Sequence, residues 1–69
     1  MDTTKIKVGD KVILRSDEVR TVTEVIHTKG AKFPVELYWG RVGYAYTWDG
    51  FYWADDEDDL DIIEIIFED

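Results

Sequence analysis

Six carboxylates fall within eleven residues of this chain. In "FYWADDEDDLD", Phe51 to Asp61, three aromatic residues lead into Asp55, Asp56, Glu57, Asp58, Asp59 and Asp61. Oxygen donors at this density suit a hard divalent cation. A calcium-loop pattern, however, needs a Gly where this run has Leu60, so no metal site is expected. Carboxylate pairs also serve acid–base catalysis, but a short chain rarely encloses the water-poor pocket such work needs. Nucleophilic chemistry has little to draw on. There is one histidine, His27, one serine, Ser16, and no cysteine. Ser16 and His27 sit at opposite ends of one extended arm, where base and nucleophile do not meet. A non-enzymatic protein without a cofactor is expected, with His27 as a strand-end residue.

A third use of the run is recognition. Aromatic rings beside carboxylates receive Arg and Lys side chains through cation–π contacts and charge-assisted hydrogen bonds. Tyr52 and Trp53 are the candidate anchors, and Asp55, Asp56, Glu57, Asp58, Asp59 and Asp61 the candidate charges. Alternation leaves two choices: Phe51 and Trp53 inward with Tyr52 out, or the reverse.

Charge is divided unevenly along the chain. Net charge is −8, and no Lys or Arg follows Arg41. Such asymmetry steers association with oppositely charged partners and does not determine fold. Exposed acids at this density also repel one another, so added salt should stabilise the protein.

These residues need a scaffold. Sixty-nine residues make a single domain, 1–69, with a small core. Aromatic residues are 14% and apolar residues 45% of the chain, too many for a disordered acidic segment. Absence of cysteine fits a reducing compartment such as cytoplasm. The opening "MDTTKIKVGDK" lacks the apolar core of a signal peptide, and no run reaches the roughly 18 apolar residues of a membrane helix. A soluble, cytoplasmic protein is expected.

Val, Ile, Thr, Tyr, Phe and Trp favour strands. Turn signals recur at Gly9-Asp10, Ser16-Asp17, Lys29-Gly30, Gly40, Gly43 and Asp49-Gly50. The spacing predicts five or six short, mostly antiparallel strands. "KVILR", 11–15, places Val12 and Leu14 on one face. "VRTVTEVIH", 19–27, forms a second strand whose inward face is ambiguous without a bulge. "FPVELYW" alternates Phe33, Val35, Leu37 and Trp39 against Pro34, Glu36 and Tyr38. "GRVG" turns the chain, and "YAYTWDGFYW" reads as a hairpin about Asp49-Gly50. "LDIIEIIF", 60–67, forms the last strand, a helix there being disfavoured by its Ile content; Ile63, Ile65 and Phe67 share one face.

"KVGDKVILRSDEVRTVTEV", 7–25, resembles the first hairpin of SH3-like small barrels, including KOW- and Tudor-type domains. Those open on a GD-x-V motif, here Gly9-Asp10-Lys11-Val12, followed by a turn and a Thr/Val-rich strand. The second half is similar to short bacteriophage and prophage proteins. Their shared elements correspond to Phe33-Pro34-Val35, to Tyr46-Thr47-Trp48-Asp49-Gly50-Phe51-Tyr52, and to an acidic stretch closing on Leu60-Asp61-Ile62. The resemblance implies an all-β, SH3-like barrel and a small accessory protein of a phage or mobile element, a class that includes inhibitors of host defence. The acidic second half departs from the basic loops of nucleic-acid-binding relatives, so no direct nucleic-acid binding is expected. The expected partner is a host protein with a basic, nucleic-acid-binding surface, met by a DNA mimic. Two alternatives stand beside it. One is a peptide-binding module with an aromatic cage from Tyr38, Tyr44, Tyr46 and Trp48. The other is a virion component docking through an open strand edge.

Overall fold

Hydrophobic alternation at period two organises the chain into strands, as its β-branched and aromatic content requires. The computed structural model describes residues 3–68. In chain order the strands are β1 Lys11–Leu14, β2 Val19–Thr21, β3 Glu24–His27, β4 Val35–Trp39, β5 Val42–Tyr46 and β6 Ile62–Ile66. A 3-10 turn spans Thr3–Lys5, and no α-helix occurs among the described residues. No helix in this region is long and apolar enough to cross a membrane. The strands make two antiparallel sheets, in the orders β2-β1-β6 and β3-β4-β5. The all-β expectation is therefore met.

Between the sheets lies one core of Ile6, Val12, Leu14, Val22, Val35, Leu37, Tyr46 and Ile62. Val12 and Leu14 on β1 and Val35 and Leu37 on β4 supply it by strict alternation. Each fully buried aliphatic side chain contributes about 1.5–3 kcal/mol. The Cα radius of gyration, 10.8 Å, matches the about 11 Å of a packed chain this long.

Four local expectations are revised. The long second strand divides into β2 and β3 at a corner, which explains its two conflicting faces. There the Val22 N–H donates to the Asp10 carbonyl (2.8 Å), and the Thr23 N–H donates to the Tyr38 carbonyl (2.7 Å). Adjacent residues thus hydrogen-bond into different sheets, and Val22 enters the core. The turn after β4 is only Gly40-Arg41, because Trp39 already pairs with Val42. Gly40 has φ 73°, so a Gly-first two-residue turn of type II′ closes the hairpin and "VG" joins β5.

In β6 the register against β1 shifts between Ile13 and Leu14. Ile63 is the extra residue of a bulge; it is exposed, while Ile62 and Ile65 turn to the core. Finally, Asp49-Gly50 does make a turn, with the Gly50 N–H donating to the Thr47 carbonyl (3.0 Å). Yet Phe51–Trp53 form no returning strand. The chain leaves β5 after one backbone bond, Thr47 N–H to the Phe51 carbonyl at 3.0 Å.

Candidate functional site

The connection from Tyr46 to Ile62 carries Tyr52, Trp53 and all six candidate carboxylates. Connections this long without strands or helices of their own are uncommon in small domains and are usually functional or disordered. This one is held at many points. The Tyr46 hydroxyl, buried, donates to the Leu60 carbonyl (2.8 Å). Burial, with a smaller contribution from neighbouring Tyr44, pushes that phenol well above its ordinary value. The Ile62 N–H donates to the Gly50 carbonyl (2.9 Å), and the Thr3 hydroxyl donates to the Trp48 carbonyl (2.6 Å).

The six carboxylates have different roles. Asp61 is fully buried, which removes it from the expected contact face. Its Oδ1 accepts the Tyr52 N–H (2.8 Å), and its Oδ2 accepts the Asp58 N–H (3.0 Å) and two donors of Arg15. A carboxylate with these partners shapes the loop and is not offered to solvent. Asp58 is half-buried and also structural. Its Oδ1 accepts the Leu60 N–H (2.9 Å), an Asx-type turn, and its Oδ2 accepts the Trp53 indole N–H (3.1 Å).

Asp55, Asp56, Glu57 and Asp59 stand exposed. Glu57 lies 3.9 Å from Arg15, with its side chain 80% exposed. A pair that open to water contributes little. Among the described residues, Asp55, Asp56 and Asp59 have no side-chain hydrogen bond or ion pair. The backbone beneath them is fixed to the first hairpin, since the Ser16 N–H donates to the Asp59 carbonyl (3.1 Å) and the Arg15 N–H to the Asp61 carbonyl (2.7 Å). Nor do these acids converge on a point. Among the described residues, no three His, Asp or Glu side chains are placed to hold a metal ion.

Of the two alternation choices, the structure takes the one that exposes Phe51 and Trp53. Tyr52 packs against the core, edge-on to Tyr44 (5.7 Å between centroids) and Tyr46 (6.1 Å). Trp53 meets the Tyr52 ring edge-on at 5.1 Å. The aromatic series therefore runs continuously from core to loop. Beside it opens a groove of about 250 Å³, lined by Phe33, Gly43, Tyr44, Ala45, Tyr52 and Trp53. Phe33, Gly43 and Ala45 were not among the candidates. Gly43 looked like a turn and Phe33 like core, so residue type alone carried no signal for the groove.

Tyr38 and Tyr44, two of the aromatics expected in a peptide groove or cage, line a common groove, but Tyr46 and Trp48 do not join them. Tyr46 is buried in the core, and Trp48 lies instead against His27, 5.8 Å between centroids. His27 ends β3, as expected.

No protein-family model, curated protein or solved structure matches this chain.

Proposed function

We propose that this protein is a non-enzymatic binding module of the SH3-like small-barrel type, which docks on a basic surface of a host protein through its acidic, aromatic-rimmed loop. The observation that carries the reading is the division of labour in the 55–61 run. Asp58 and Asp61 are spent holding the loop, so that Asp55, Asp56, Glu57 and Asp59 project from an ordered backbone with Trp53 beside them. Fixed carboxylates avoid most of the ordering entropy that a floppy acidic tail would lose on binding. On a surface that otherwise holds nucleic acid they stand in for phosphates, and opposite charge accelerates encounter.

The barrel assignment is supported by the corner at Val22-Thr23. One continuous segment, Val19–His27, serves both sheets and gives a running strand order of β6-β1-β2/β3-β4-β5. The likeness to short phage proteins supports a target in the host cytoplasm.

The test is affinity capture from host lysate with the wild type and with a variant carrying Asp55→Asn, Asp56→Asn, Glu57→Gln and Asp59→Asn. Asp58 and Asp61 stay intact so that the loop keeps its shape. The wild type should retain a basic protein that elutes with salt and is displaced by duplex DNA. The variant should fold with an unreduced melting temperature and lose that protein. Retention of the same partner at the same salt by the variant refutes the reading.

A further inference from the structure

Among the described residues, the outer edge of β5 has no partner strand. β5 ends its sheet, and its register with β4 pairs Val42 with Trp39, Tyr44 with Leu37 and Tyr46 with Val35 across the two-residue turn. In an antiparallel ladder closed this way, Val42, Tyr44 and Tyr46 point their backbone groups at β4. Gly43 and Ala45 point theirs away. Thr47 continues the outward series, and its N–H is taken by the Phe51 carbonyl. The chain then turns off at Tyr52, whose N–H goes to Asp61 Oδ1. The segment that begins to cover the edge is thus diverted before it reaches Ala45 and Gly43.

Natural sheets blunt free edges with Lys, Pro, bulges or a covering loop. "VGYAY" has no charge and no proline. Its edge is also flanked on both sides. One groove, described above, runs between Phe33 and Trp53. A second, of about 210 Å³, lies on the outer face of the sheet between Glu36, Tyr38 and the same Gly43–Ala45 backbone. The Tyr38 ring lies directly over Gly43, so close that a Cβ there would fall 2.3 Å from Cε2. Only glycine leaves that face flat.

We infer that the free edge of β5 accepts an extended segment of a partner protein as an added strand, and that this segment alternates lysine or arginine with aliphatic residues. This inference rests on the reading of the acidic loop as a docking face. The Gly43 and Ala45 N–H and C=O groups pair with the incoming backbone. Side chains of one parity lie over Tyr38 toward Glu36. Those of the other parity enter the apolar groove, whose Trp53 wall carries the acidic run. Charge selects this occupant over a second copy of the chain, because each copy carries −8 and opposes its own kind.

The experiment follows amide hydrogen exchange and chemical shifts of the 15N-labelled protein on addition of a heptapeptide alternating valine with lysine and arginine. A second peptide has the same side chains but is N-methylated on the amides that would face β5. The parent peptide should slow exchange at Gly43 and Ala45, and the N-methylated peptide should bind at least about ten-fold more weakly, as loss of two backbone hydrogen bonds implies. Ala45→Pro, which removes an outward N–H and leaves the β4 ladder intact, should weaken the parent peptide in the same way.

If both peptides bind alike, shift only residues 55–59 and leave Gly43 and Ala45 exchange unchanged, strand addition is refuted while the acidic docking face stands. If neither peptide perturbs any amide, strand addition is refuted, and the acidic docking face is decided by the lysate capture with the four-site variant. If the free protein protects Gly43 and Ala45 in a concentration-dependent way, the edge serves self-association and the inference is overturned.

Discussion

Arg15 and Asp61 join the first hairpin to the base of the acidic loop, with Nε and Nη2 at 3.3 and 3.2 Å from Oδ2. The arginine is partly exposed and the aspartate fully buried. Removing the buried partner strands the Tyr52 and Asp58 N–H groups as well as the guanidinium. Asp61→Ala should therefore cost about 2–5 kcal/mol, chiefly from the two orphaned N–H groups since water reaches the guanidinium, against roughly 3–10 kcal/mol for a whole domain this size. Asp55→Asn, at an exposed loop position with no side-chain partner among the described residues, should cost nothing measurable. Urea denaturation of the two variants checks the contrast, and equal effects would mean that the loop is not organised by Asp61.

Asp10 gives the protein an acid limit. Burial by itself would raise its pKa. Hydrogen bonds from Lys7 Nζ, the Glu68 N–H and the Lys7 N–H, with the lysine charge, outweigh burial and hold the carboxyl below its ordinary 3.8. A folded-state pKa below the unfolded one adds stability that is present above about pH 3.8. That stability is lost as pH falls through the folded value. Asp10→Asn should lower stability at neutral pH and flatten the pH dependence of the melting temperature below pH 4, roughly the unfolded carboxylate range. An unchanged acid limb would remove Asp10 from this role.

The strands were legible wherever one face is buried along the whole element. β1 and β4 follow from Val12, Leu14, Val35 and Leu37, since alternation is a local property. The Asp49-Gly50 hairpin was misread because Tyr52 is diverted by a carboxylate nine residues ahead, and no local pattern encodes that capture. The β6 faces were misread because a bulge at Ile63 reverses parity, and the Ile pairs on either side of Glu64 do not mark where the extra residue falls. Asp61 resembles Asp59 in type and position along the run. Its one distinguishing mark is Leu60 before it and Ile62 after it, which bring its backbone into the core boundary.

The β1–β2 turn carries a small correctable cost. Asp17 has φ 72°, the left-handed region, in the four-residue connection 15–18, where Asp17 N–H donates to the Leu14 carbonyl (2.8 Å) and Leu14 N–H to the Glu18 carbonyl (2.9 Å). Glycine is the usual residue at this position. The left-handed conformation costs a side-chain-bearing residue about 1–2 kcal/mol. Glycine's larger unfolded-state entropy returns about 0.5–1 kcal/mol of that. Asp17→Gly should raise stability by about 0.5 kcal/mol, read as a higher melting temperature with an unchanged spectrum. A lower one would show that the Asp17 side chain itself stabilises the turn.

Salt distinguishes a loop of free charges from a neutralised one. The ion pairs with a buried member, Lys7–Asp10 and Arg15–Asp61, are weakly screened. Asp55, Asp56, Glu57 and Asp59 share one exposed segment, and their mutual repulsion is strongly screened. Raising salt from about 10 mM to 150 mM shortens the Debye length from about 30 Å to 8 Å, which removes repulsion across the loop and leaves the buried pairs largely intact. The melting temperature at pH 7 should therefore rise over that range. The same experiment on the variant neutralised at those four positions should show a smaller rise from a higher starting point. A melting temperature that falls with salt in the wild type would mean that attraction to the Lys and Arg residues of the first half dominates, and the exposed carboxylates would then be engaged within the molecule and not offered to a partner.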